Sequence, residues 1–144
     1  MAYDFTRLGD VIDAVYATLS GPAGDRDWDF RAEFFHPDAK FIRTGVDEFG
    51  ASWLKIMSLD EYREEVAPFF KIVPFYEIEL ERHVEQFGNI AHVWSVYEER
   101  RAPEAPVVER RGVNSIQLFR DKDRRWRVLS IAWDNEREGV RLPE

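Results

Sequence analysis

The sequence predicts an α+β fold in which three helices pack on one face of a mostly antiparallel sheet. Two observations carry this. In the second half, Phe75 to Phe87, Ile90 to Arg100, Val107 to Arg120 and Trp126 to Trp133 read as consecutive strands, separated by turn signals at Gly88-Asn89, Pro103 to Pro106 and Asp121 to Arg124. In the first half, apolar residues recur at helical spacing instead and stop at glycine and proline. The 144 residues are expected to form one domain, 1–144, with a core of its own.

The first helix follows from Leu8, Val11, Ile12, Val15, Tyr16 and Leu19, and Ser20-Gly21-Pro22-Ala23-Gly24 ends it. Asp25 or Asp27 caps a second, short helix with Trp28, Ala32 and Phe35 on its apolar side. It stops at His36-Pro37-Asp38, because the residue before proline avoids the helical region. Ala39 to Thr44 follows as a strand, and Gly45 to Met57 as a loop or irregular strand with Trp53 and Ile56 inward. Ser58-Leu59-Asp60-Glu61 is a capping box that opens a third helix, its inner stripe Leu59, Tyr62, Val66, Phe69 and Phe70.

The hairpins fix a register for the remaining strands. Pairing across Gly88-Asn89 sets Val84 against Val93 and Arg82 against Ser95; across Pro103 to Pro106, Val93 meets Ile116 and Ser95 meets Asn114. Across Asp121 to Arg124, Ile116 meets Leu129 and Asn114 meets Ile131. Side chains alternate and a one-residue slip inverts a strand, so the apolar residues define one face. On the segment 75–87 that face holds Tyr76, Ile78, Leu80 and Val84; beyond it come Val93, Tyr97, Ile116, Leu118, Leu129, Ile131 and Trp133. Arg82, Ser95 and Asn114 cross its middle as a polar row. An apolar wall with a few convergent polar groups describes a ligand pocket.

Composition narrows the function. A net charge of -8, with Lys and Arg dispersed among acids, argues against a phosphate backbone as partner. Cysteine is absent, which removes disulfides, thiol nucleophiles and thiolate metal sites and agrees with the expected cytoplasmic location. The first ten residues carry acids and no long apolar run, and no stretch approaches the ~20 apolar residues of a membrane span, so neither a leader nor a membrane is expected. The chain lacks GxxxxGK[ST], GxGxxG, GxSxG and HExxH patterns, and no cofactor is expected.

The element order resembles the nuclear transport factor 2-like superfamily over nearly the whole chain, with His36-Pro37-Asp38-Ala39 leading into the first strand and a closing Trp126-Arg127-Val128 strand that ends at Trp133-Asp134. The resemblance implies a cone-shaped, cystatin-like α+β barrel whose curved sheet wraps three helices around a pocket. Ketosteroid isomerase, scytalone dehydratase and the polyketide cyclases are members, so the likeness marks a fold and leaves the activity to the pocket. The isomerase's aspartate base falls here on Arg43, and a guanidinium cannot act as a base. Its oxyanion tyrosine falls on Val15, with Tyr16 one residue on and about 100° round the helix.

The candidate catalytic groups are therefore Tyr16, Arg82 and Asp134, with Glu99 the other carboxylate near a strand end; the centre of the inward face is expected to hold none. Arg82 among Leu80, Val84 and Val93 requires either a helix acid such as Glu61 or Glu65, or an anionic ligand that Arg43 could share. Ser95 and Asn114 orient a ligand or close the polar patch between themselves. Tyr16, Trp53, Tyr62, Tyr97 and Trp133 are either pocket lining or plain core. His83, Glu85 and His92 meet on the opposite face, where an electrostatic contact is expected rather than a metal site. That face also carries His92, Trp94, Gln117, Phe119 and Trp126, too apolar for bare solvent, and with the resemblance it implies a homodimer. The expected function is a cavity protein for a small apolar ligand with a polar or anionic end. The alternatives are an isomerase, lyase or cyclase of the polyketide cyclase type, or a dimerisation module with a closed core.

Overall fold

The computed structural model describes residues 2–143. Helix α1, Leu8–Leu19, is followed by a short 3-10 helix, Trp28–Glu33, then strands β1, Phe35–Val46, and β2, Ser52–Ser58. Helix α2, Leu59–Ile72, leads into β3, Tyr76–Phe87, β4, Ile90–Arg100, β5, Arg110–Arg120, and β6, Trp126–Asn135. The six strands form one sheet in the order β2-β1-β6-β5-β4-β3, antiparallel except where β1 runs parallel to β6. The sheet is curved and unclosed, and the fold is the expected α+β cone.

Local chemistry explains the elements. Asp27 caps the 3-10 helix, its side chain accepting from the Phe30 N–H. The capping box of α2 is complete: Ser58 Oγ accepts from the Glu61 N–H at 3.1 Å and Glu61 Oε1 accepts from the Ser58 N–H at 2.9 Å. The segment 45–57 resolves into a hairpin turned by Asp47, whose Oδ1 accepts from the N–H groups of Phe49 and Ala51, both at 2.9 Å. Ile56 points outward there and Met57 inward: Ile56 is 57% exposed and Met57 is 1% exposed. β1 begins at Phe35 rather than Ala39, because Phe35 already pairs with Val128 and an irregularity between Phe35 and Lys40 takes in Pro37, which offers no donor.

α1 packs on β3 and β6, and α2 on β1 and β2. The predicted α1 stripe is the buried one, Val11, Ile12, Val15, Tyr16 and Leu19, with Leu8 at its edge. Tyr62, Val66 and Phe70 supply the core face of α2.

The register holds for two hairpins and breaks in two places. Arg82 faces Ser95, Val84 faces Val93, Val93 faces Ile116 and Ser95 faces Asn114, as read from sequence. In β6, however, Ile116 meets Ile131 and Asn114 meets Trp133, and a bulge at Leu129 lets Val128 pair with Leu118. Trp126 and Val128 therefore turn into the core, at 3% and 0% exposure, and Leu129 gives up its predicted inward place. A second bulge, at Leu80, shifts the start of β3: Glu79 pairs with Tyr97 and Glu77 with Glu99 on the concave face, while Leu80 is 48% exposed. Tyr76, Ile78 and Leu80 thus leave the inward row assigned to them. Two glutamates take it.

Candidate functional site

The helices and the concave face of the sheet line a cavity of about 300 Å³. Its apolar walls come from every layer: Val15 and Leu19 of α1, Val66, Phe69 and Phe70 of α2, and Ile131 of β6. Phe41, Tyr62 and Trp133 form an aromatic corner, with Phe41 stacked on Tyr62 at a centroid separation of 3.9 Å and Trp133 edge-on to Tyr62 at 6.0 Å. Tyr62 is buried yet, among the described residues, its hydroxyl has no hydrogen-bond partner, leaving a free donor at the cavity wall. Burial, and next the charge of Glu77, push the pKa of this phenol above its ordinary value.

Glu77 is the most unusual polar group in the cavity. It is half-buried on β3 and lines the cavity. Oε1 accepts from Asn114 Nδ2 at 2.9 Å; Oε2 meets no donor among the described residues. Burial raises the pKa to about 7, against the Asn114 hydrogen bond that favours the charged form and together with Glu99, its cross-strand neighbour. A carboxyl poised there holds or releases a proton near neutrality.

A closed network lies beside it. Asn114 Nδ2 also donates to the Tyr16 hydroxyl at 3.1 Å, which lies 2.6 Å from Ser95 Oγ. Ser95 donates its single proton to Glu79, so the Tyr16 hydroxyl is the donor to Ser95. Arg82 grips Glu79 through Nε at 3.0 Å and Nη2 at 2.6 Å, and reaches Asp13 of α1 at 2.6 Å. Burial works against the guanidinium charge, but the hydrogen bonds with Glu79 and Asp13 outweigh it and hold its pKa above the usual value. The pairing with a helix acid foreseen for Arg82 thus exists, with Asp13 in place of Glu61 or Glu65.

Charged pairs flank the rest of the cavity. Arg43 is hydrogen-bonded to Glu65, which Lys55 also approaches at 3.3 Å, and the Arg43 guanidinium lies 5.5 Å from the Trp133 ring centre. Glu99 is held by Arg101 at 2.6 Å and more loosely by Arg110 at 3.9 Å. The Tyr97 hydroxyl donates to Asn135 Oδ1.

Of the residues singled out from sequence, Arg43, Tyr62, Tyr97, Asn114 and Trp133 line the cavity. Tyr16, Arg82 and Ser95 belong to the closed network behind it. Trp53 shares the inward parity of Arg43 but lies across Gly45 at the end of the hairpin, 43% exposed and outside the lining. Asp134 falls in the opposite parity from Trp133 and pairs with Arg137 at 2.7 Å. On the outer face His83 contacts Glu81 at 2.7 Å and His92 contacts Ser115 at 2.9 Å. Sequence reading missed Glu77 and Glu79. The run Tyr76-Glu77-Ile78-Glu79-Leu80 alternates so cleanly that only the bulge reveals which set turns inward.

No family model matches the sequence. No curated protein matches it either. Solved structures do. A candidate ketosteroid isomerase from Shewanella frigidimarina superposes with a TM-score of 0.61 at 15% identity, over 92% of this chain and 100% of that one. A candidate dehydratase of the nuclear transport factor 2-like family from Streptomyces avermitilis gives 0.65 at 16% identity, over 93% and 96%. The CaMKII hub of S. rosetta gives 0.57 at 16% identity, over 89% and 90%. The chain has the nuclear transport factor 2-like fold.

Proposed function

We propose that this chain is a small-molecule cavity protein whose ligand is mainly apolar and places one polar end against Glu77. The observation that carries the reading is the cavity itself, about 300 Å³, apolar on most of its wall and ending at an open carboxyl oxygen. An anionic end loses its support, since Arg82 is taken by Glu79 and Asp13 and Arg43 by Glu65. The test is a melt with bicyclic aromatic alcohols: 2-naphthalenemethanol raises Tm, and Val66→Trp, which fills the cavity, removes the response while keeping a cooperative melt. No shift with this alcohol or with the amine and carboxylate of the same ring system sinks the proposal.

Glu77 favours a second reading, acid–base chemistry of the isomerase, lyase or cyclase kind. A carboxyl near neutrality accepts a proton from carbon, and the free Tyr62 hydroxyl is a donor for the oxygen on which charge then develops. Deuterium exchange of 2-tetralone in D2O, followed by NMR, reads this directly. Exchange above background that vanishes in Glu77→Gln supports it; rates equal to buffer exclude it for this ketone class.

The chain is further proposed to pair with a second copy through the outer sheet face around Trp94. Trp126 has no part in that surface, being in the core. Among the described residues no helix is long and apolar enough to cross a membrane.

A further inference from the structure

We infer that the polar end this cavity accepts is a positively charged nitrogen: the geometry points to an aromatic or apolar ammonium compound, its cation seated between Glu77 and the ring walls. The inference rests on the cavity reading above and names the ligand class for it.

Glu77 and Glu99 are direct cross-strand partners, both on the cavity wall, where like charges repel. Glu99 has Arg101 and Arg110 beside it; among the described residues Glu77 has no cation, only the Asn114 amide on one oxygen. The lining arginines face other acids, Arg43 with Glu65 and Arg110 with Glu99. One carboxyl in the cavity is thus left without a counter-ion, its second oxygen open to the void. A buried carboxylate is stable only when paired, and here the space for the partner is on the ligand's side. The surroundings suit that partner. Aromatic faces attract a cation through their ring quadrupoles, and Phe41, Tyr62, Phe75, Tyr97 and Trp133 all border the cavity. A carboxylate ligand would meet the repulsion of both glutamates.

Binding then depends on pH, because an ammonium ion needs Glu77 ionised. The groups that face it are Glu99 and Tyr97 from β4, Tyr16 from α1, Tyr62 and the paired Glu65 from α2, Arg43 from β1 and Arg110 from β5. Burial raises all three phenols, so they stay neutral across the range used.

The experiment compares 2-naphthylmethylamine, 2-naphthalenemethanol and 2-naphthoate by titration calorimetry between pH 5.5 and 8.5. The amine should bind at least about tenfold tighter than the alcohol at pH 8, weakening by up to about tenfold for each unit below the Glu77 pKa. Glu77→Gln should bring the amine to the alcohol's affinity and flatten its pH profile. As a measure that needs no variant, the ¹³C shift of the Glu77 carboxyl should titrate at least one unit lower with the amine bound. An amine no tighter than the alcohol, or a carboxyl titration unmoved by it, overturns the cation assignment while leaving the cavity reading intact. If none of the three compounds binds, both fall.

Discussion

Glu77 joins the folded state at a cost set by pH. Its pKa is about 7 in the folded chain and near the ordinary 4.5 when exposed, so between those values the native state holds a proton that the unfolded chain has released. Stability from this group is therefore complete below about pH 4.5, declines as pH rises, and is lost above about pH 7. The difference is about 3 kcal/mol. Glu77→Gln removes the titration, so the variant should match the parent in Tm near pH 4.5 and exceed it by roughly 10 °C at pH 8. Calorimetric melts across that range decide it; a constant offset would mean the carboxyl is not enclosed as described. Arg82 makes the opposite case. Arg82→Met strands Glu79 beneath Ser95 and is expected to lower stability by about 2 kcal/mol, below the full value for a buried pair because the guanidinium is a quarter exposed. The ligand response of the cavity should persist, since Arg82 is not part of its wall. Loss of binding with an unchanged melt would reverse the assignment.

At the scale of elements, the helices were the most legible part. The α1 stripe and the α2 capping box follow from spacing and cap chemistry, both local, and both appear as read. The hairpin registers across Gly88-Asn89 and Pro103 to Pro106 were legible too, because a turn and an apolar face specify them together. The bulges at Leu80 and Leu129 were not. A bulge leaves composition unchanged and reverses parity on one side only, and its cause is the curvature the sheet needs to wrap the helices. The consequence is unequal. At Leu129 it exchanges one apolar residue for another, Val128, whereas at Leu80 it brings Glu77 and Glu79 inside and so conceals the centre of the site. The parallel β1–β6 pairing is another non-local feature, without a turn to announce it. Where β5 crosses β6, Gly112 fits because a Cβ would overlap the Asp134 carbonyl oxygen and crowd the Tyr97 hydroxyl and the Asn135 side chain. Gly112→Ala should force these strands apart, destabilise by about 3 kcal/mol and weaken cavity ligands through Tyr97 and Asn135, seen by melt and titration together. A neutral substitution would show that the crossing has slack.

At the scale of the molecule, the two faces of the sheet have different tasks. The concave face is consumed by helices and cavity, while the outer face keeps Trp94 at 48%, Leu54 at 61% and Ile56 at 57% exposure. The pairings place Ile56 beside Ile42 and Ile42 beside Ala132, so the apolar stretch on the β2 side continues across three strands. Such a surface is disfavoured in water, and a second copy related by a two-fold axis presents the same surface in return. Light scattering at micromolar concentration should therefore give about twice the chain mass. Trp94→Glu introduces a charge on each copy at once and should raise the dimer Kd by tenfold or more, about 1.4 kcal/mol at the least. Trp94 lies opposite in parity to Val93 and Ser95, so the cavity's ligand response should survive the substitution. A parent chain that scatters as a monomer ends the dimer proposal, and a variant that dissociates and also loses its ligand would mean that the outer face and the cavity are coupled through the sheet.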